Sequence, residues 1–284
     1  WVWFSPKQID ETFDILQIDL AWLDRVSIYY ITADGRYLNY EAGDEYPFNQ
    51  RVIPFRKPAF PLLREISQGE VQTIALRIGA QGRFSLPLFA FSEKAFNLQA
   101  NLDYLFYGAW IAVLISLGFY NGTIFFILRS NVHLYYFIYI LVFTALLVTA
   151  SGIGQQYLWP NSKNLTTLLA NISLAFTNYG TAFFVIHFIQ LEKVGGTLTR
   201  VLKWLAYISL LCVPLVFIFH YDALTPILLA SFIIMALILP AAVYATLKGN
   251  EVAPFLLASL VVLLPCNTIG LIRFMGFFEN LHWM

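Results

Sequence analysis

Between Tyr104 and Met275 the chain contains six long stretches of almost purely apolar residues, none of which carries an Asp or a Glu. The windows are Tyr104–Leu128, Leu134–Gly152, Leu165–Gln190, Trp204–His220, Ala223–Leu247 and Val252–Met275. A helix crosses the hydrocarbon core of a bilayer with about 20 mostly apolar residues, and only helices or closed barrels satisfy their backbone there. The windows therefore predict six membrane crossings over residues 101–284.

The remaining residues are of a different kind. Residues 1–103 hold 10 of the 17 Lys and Arg and 13 of the 17 Asp and Glu, so a polar module of about 100 residues precedes the membrane part. The net charge is zero, which gives no long-range attraction to nucleic acid. The chain begins at Trp1 with no basic stretch and short apolar core ahead of it, and it reads as a mature or cut fragment.

Charge in the connections sets an orientation. Arg129, then Lys193, Arg200 and Lys203, then Lys248 follow the first, third and fifth windows, whereas the second and fourth are followed only by Lys163. Short loops rich in Lys and Arg stay in the cytoplasm. The polar module and the connections Ile153–Asn164 and Tyr221–Asp222 are thus expected outside the plasma or inner membrane. Arg273, at the outer end of the sixth window, is long enough to snorkel to the interface.

The module reads as β. Phe13–Leu20, Asp24–Ile31, Arg51–Phe55, Val71–Ile78 and Phe84–Ser92 are short and rich in β-branched and aromatic residues. Asp34-Gly35 predicts a hairpin with a tight primed turn. With Pro47, Pro54, Pro58, Pro61 and Pro87 between the runs, the expectation is an antiparallel sandwich over residues 1–100. Trp1, Trp3, Trp22, Tyr37 and Tyr46 either stack on a ligand, fill the core between the sheets or meet the membrane surface.

Inside the windows, Asn171 and Asn178 lie two helical turns apart on one face, fit either to bind a polar ligand or to pair with neighbouring helices. Asn121 and Asn267 are similar amides, and His187 falls near the inner end of the third window. Pro214, Pro240 and Pro265 interrupt helix ladders. In the connection GIGQQYLWPN, Gln155, Gln156, Tyr157 and Trp159 combine amides with rings suited to a membrane boundary or to a ligand mouth. These four, with Asn171, Asn178 and Arg273, are the candidate ligand-binding residues. Cys212 and Cys266 sit in apolar windows without ligand-like spacing, so no metal or cofactor is expected, and no constellation of nucleophile and base suggests an enzyme.

Several stretches carry a resemblance. YEAGDEYPFNQR at Tyr40–Arg51, LFYGAWIAVLISLGFYNGTIFFILRS at Leu105–Ser130, GIGQQYLWPN, and KGNEVAPFLLASLVVLLPCNTIGLIRFMGFF at Lys248–Phe278 resemble, in this order, the bacterial seven-transmembrane receptors with diverse intracellular signalling modules. The resemblance implies a jelly-roll-like extracytoplasmic module, similar to carbohydrate-binding domains, ahead of a seven-helix bundle and a cytoplasmic output such as a diguanylate cyclase, histidine kinase or phosphatase. Compared with that pattern, the chain starts inside the β module and stops before the seventh helix. The expected partners are the bilayer, a carbohydrate or small-molecule ligand, the signalling module and a second copy of the chain. The expected function is a sensory receptor; a transporter or channel with an accessory module is the alternative, made less attractive by the near absence of ionisable groups within the windows.

Overall fold

A computed structural model describes residues 1–21, 23–66, 69–79, 87–162, 165–219 and 224–261. They form two compact units. One comprises Trp1–Ala109 with Val148–Thr167, and the other comprises Trp110–Leu147 with the chain from Leu168 onward.

The first unit is built on strands β1 (Val2–Phe4), β2 (Ile15–Ile18), β3 (Arg25–Thr32), β4 (Tyr37–Ala42), β5 (Ala59–Pro61), β6 (Glu65–Ile66), β7 (Gly69–Gly79) and β8 (Leu88–Phe91). All pairings are antiparallel. One sheet has the order β1-β7-β3-β4 with β6 also on β7, and the other runs β5-β2-β8. Alternation sends Leu16, Ile18, Val26, Ile28, Tyr30, Phe60, Ile74 and Leu76 into one core between the sheets, as in a sandwich. The Tyr30 hydroxyl donates to the Pro61 carbonyl at 2.6 Å and ties one sheet to the other.

The second face of the small sheet is covered by the start of helix α1 (Glu93–Leu128). Phe96 and Ala100 pack on Ile15, Phe55 and Ala59, with Tyr104 alongside. The spacing of four places these three side chains on one stripe. Ser92 caps the helix, its hydroxyl taking the Ala95 amide, while the Asp14 carboxylate takes the Glu93 amide. The helix therefore begins eleven residues before the apolar window that predicts it.

Two other expectations are corrected. Arg51–Phe55 is not a strand: a single 3-10 turn, Phe48–Gln50, leads into an irregular segment, where Pro54 has no amide to give a ladder. The β3–β4 hairpin forms where Asp34-Gly35 places it, but Thr32 pairs with Arg36 around three residues and only Gly35 has positive φ, at 81°. That is a three-residue loop, not a two-residue primed turn.

The second unit is helical. Beyond α1 come α2 (Asn131–Ala150), the short α3 (Ile153–Tyr157, in the first unit), α4 (Leu165–Phe188), α5 (Leu191–Val194), α6 (Gly196–Leu211), α7 (Val213–Phe219) and α8 (Leu224–Leu247). Residues 253–261 are also helical. Among the described residues, five helices are long and apolar enough to cross a membrane, with α6 and α7 counted together. The sixth window runs beyond the described residues, as do Asn267, Pro265, Cys266 and Arg273. Pro214 lies in the first turn of α7, just after the break at Cys212, whereas Pro240 stays inside a continuous α8. Ala182, Ile186, Ile189, Leu202, Ala206, Ile238 and Ala242 form the bundle core.

Candidate functional site

Alternation that sends Ile28 and Tyr30 inward sends Ser27 and Tyr29 to the opposite face of the large sheet. On that face the register sets Trp3 beside Ala75, Ala75 beside Tyr29 and Tyr29 beside Asn39. The neighbouring row holds Arg77, Ser27 and Glu41. The rings are contiguous: Trp1 and Trp3 stack at 5.5 Å, Trp1 lies 5.7 Å from Tyr29, and Tyr29 lies 6.0 Å from Tyr37. The Arg77 guanidinium sits 5.8 Å over Trp1. Trp1, Trp3 and Tyr37 remain 64%, 58% and 60% exposed. Large rings left this open, beside a guanidinium, a carboxylate and an amide, suit a ligand with an apolar face and polar edges.

The edge of this face reaches a second feature. The Tyr46 phenol interacts with Glu41 and Ser27, and the Tyr46 carbonyl accepts a hydrogen bond from Gln155 Nε2 at 3.3 Å. Gln155 is 1% exposed. Its amide also donates to the Gly43 carbonyl at 3.1 Å, and its oxygen accepts from Arg51 Nη2 at 2.7 Å. Arg51, buried as well, gives its remaining contacts to the carbonyls of Gly43, Phe55 and Arg56 and lies over the Phe48 ring at 4.8 Å. Arg56 donates to the Ser151 carbonyl at 2.8 Å and to Asp103 of α1 at 2.5 Å. Lys57 bridges the same Asp103 and Asp19. The Phe48 amide donates to the Pro160 carbonyl at 2.7 Å. Two buried arginines thus join the turn after β4, the start of α1 and the connection between α2 and α4.

Close approach makes this joint specific. Gly152 has a φ of 80°, and a Cβ there would stand 2.6 Å from the Arg56 carbonyl oxygen. Gly43, at a φ of 125°, would place a Cβ 2.3 Å from the Asp24 carbonyl oxygen. No other residue fits either position without displacing backbone.

The joint is also electrostatically loaded. Asp44 is 1% exposed; one carboxylate oxygen accepts from the Thr167 hydroxyl at 3.1 Å, and the other has no hydrogen-bond partner among the described residues. Burial, reinforced by the charge of Asp24, pushes the Asp44 carboxyl up to about 7. Burial likewise brings Arg51 down to about 10, against the pull of Asp44.

The candidate residues are distributed between the two units. Gln155 enters the joint, and Gln156 accepts from the Tyr104 hydroxyl at 2.8 Å. Tyr157 is exposed, while Trp159 is half-buried against Gly154 with its indole donating to Thr166. In the second unit, Asn171 is buried, and Asn178 donates to Ser209 of α6 and to the Ile227 carbonyl of α8 and accepts from Ser231. Asn121 meets His133 at 3.1 Å, and His187 packs on Tyr135 at 4.5 Å. Arg273 and Trp22 lie outside the described residues. The sequence did not point to Tyr29, Arg77, Asp44, Arg51 or Arg56. For the arginines a signal existed: the stretch 47–63 of a β module is mostly apolar and carries three cations, Arg51, Arg56 and Lys57, without a single Asp or Glu, and cations there need acceptors from elsewhere in the chain.

Comparison with known proteins agrees with this two-part architecture. Residues 103–284 match the family described as 7TM diverse intracellular signalling, and residues 1–92 match the one described as 7TMR-DISM extracellular 2. No curated protein and no solved structure matches the chain.

Proposed function

The chain belongs to the 7TM diverse intracellular signalling family, a family of sensory receptors with an extracellular part and a membrane part, and from that membership we propose that it senses an external ligand on the aromatic face of its β module and passes the result inward through the Arg51–Gln155 joint. The observation that carries this reading is the position of Tyr46, whose ring borders the aromatic face and whose carbonyl holds Gln155. A ligand that presses on the face thereby acts on a residue already fastened to the connection between α2 and α4.

The ligand class follows from the face. Alternating rings and hydrogen-bonding groups favour a saccharide or a similar small molecule, with C–H bonds against Trp1, Trp3 and Tyr29 and hydroxyls toward Asn39, Glu41 and Arg77. Such a ligand shifts a two-state equilibrium only by its difference in affinity for the two states, and a tenfold difference corresponds to about 1.4 kcal/mol. The role is binding, not catalysis. The charge of the connections supports a plasma or inner membrane location with the β module outside, and the receiving partner is a cytoplasmic signalling module.

The test is binding to the whole chain in lipid nanodiscs, read by tryptophan fluorescence across a panel of mono- and oligosaccharides and small carboxylic acids. At least one saturable saccharide is expected, with affinity lost in Trp3→Ala and Tyr29→Ala. A panel without a binder, or a binder indifferent to both substitutions, contradicts the assignment.

A further inference from the structure

The Arg51–Gln155 joint contains a buried carboxylate that the ligand reading does not use. Asp44 follows the Gly43 turn after β4, and its amide is fixed to the Leu23 carbonyl at 2.9 Å. Its side chain points to the first turn of α4, where Thr167 holds one oxygen. The second oxygen is buried without a partner among the described residues. The charged groups facing it are Asp24 from the turn before β3, Glu45 next in the chain, and Arg51 after the 3-10 turn. Glu45 is paired with Arg25. Arg51 is the cation of the set; its Nη1 and Nη2 donate to Gly43, Phe55, Arg56 and Gln155, its buried Nε has no hydrogen-bond partner among the described residues, and it makes no ion pair with Asp44 within 4.0 Å.

An ionised carboxylate in this place loses its hydration and faces two further acids, whereas a neutral carboxyl still accepts from Thr167 and leaves no buried charge. We propose that Asp44 is a proton-operated latch on the joint: neutral, it keeps the turn after β4 closed on the first turn of α4, and ionised, it favours release. Acid conditions outside the cell thus hold the joint shut, and neutral conditions loosen it. The proton acts as a second input at the joint that the ligand reading assigns to transmission. The latch itself is read without ligand, so its failure leaves the saccharide assignment standing.

The experiment is hydrogen exchange of the whole chain in nanodiscs from pH 4.5 to 8, corrected for intrinsic rates, on the segments 40–51 and 165–171. Opening of both segments together is expected to increase by about tenfold per pH unit and to level off near neutrality, because each opening releases one proton. Asp44→Asn, a neutral isostere, is expected to remain protected at pH 8 and to lose the pH response. Thr167→Val removes the one donor that stabilises the ionised form, and it is expected to move the response to higher pH; it decides the question if the Asn variant does not fold. A wild-type chain without the response, an Asp44→Asn chain that retains it, or a Thr167→Val chain whose response does not move overturns the latch.

Discussion

Arg51 Nη2 donates to Gln155 Oε1 at 2.7 Å across 104 residues of sequence, and both side chains are buried. One belongs to the β module and the other to the connection between two apolar helices, so this hydrogen bond to a charged donor couples the two stretches alongside those from Gln155 to Gly43 and Tyr46, from Arg56 to Ser151 and from Phe48 to Pro160.

Removing either partner strands the other. Arg51→Ala leaves several carbonyls without a donor and is expected to lower the unfolding free energy of the first unit by about 3 kcal/mol, and Gln155→Ala by about 1–2 kcal/mol. In a double-mutant cycle by chemical denaturation the two effects should fall short of adding by about 1 kcal/mol or more. Additive losses would show that the residues are fixed independently.

Asp44 gives a pH dependence of opposite sign to most acids. Its folded value is near 7, above the 3.8 of the free side chain. Its favourable contribution is therefore complete below about pH 4 and is lost as pH rises toward 7. Asp44→Asn should be more stable than wild type at pH 8, by on the order of 2–4 kcal/mol, and nearly equal to it at pH 4. Thermal melts at both values check this; a variant that is less stable at pH 8 would refute it.

Much of this fold was readable in the sequence, and what was missed shares one cause. Uncharged apolar windows identify membrane helices because composition alone decides the matter in lipid. The β-branched and aromatic residues of Asp24–Ile31 and Val71–Ile78 identified β3 and β7 because such side chains pack well on a pleated, half-buried surface. The start of α1 was missed because EKAFNLQANLDY is polar overall, and its stripe of Phe96, Ala100 and Tyr104 has meaning only against the sheet it covers. The run at Arg51–Phe55 looked like a strand because it is apolar and β-branched, although Arg51 is held by carbonyls from three separate residues. Gln155 was singled out for its composition, but its partners are distant in sequence and no local pattern names them. Tyr29 was overlooked since a tyrosine in a strand gives no sign of which rings its neighbours in register will supply.

Asn178 makes three hydrogen bonds across α4, α6 and α8. Asn178→Leu is expected to destabilise the bundle by about 1–2 kcal/mol, measured by unfolding in mixed detergent, since Ser209 and Ser231 lose their shared partner. An unchanged or more stable bundle would assign the amide a role other than packing.

The orientation is checked by labelling single cysteines with an impermeant reagent in intact cells. Asp34→Cys, in the exposed β3–β4 turn, should react from outside, and Lys193→Cys only after permeabilisation. Labelling of both from one side would overturn the topology.

The most direct test of the receptor account is hydrogen exchange of the whole chain with and without a saturating saccharide that Trp3→Ala abolishes. Protection should change at the β1–β3 face and also at segments 43–51 and 152–160, with the distant change lost in Gln155→Ala while binding persists. A change confined to the sheet face would contradict transmission through Arg51 and Gln155.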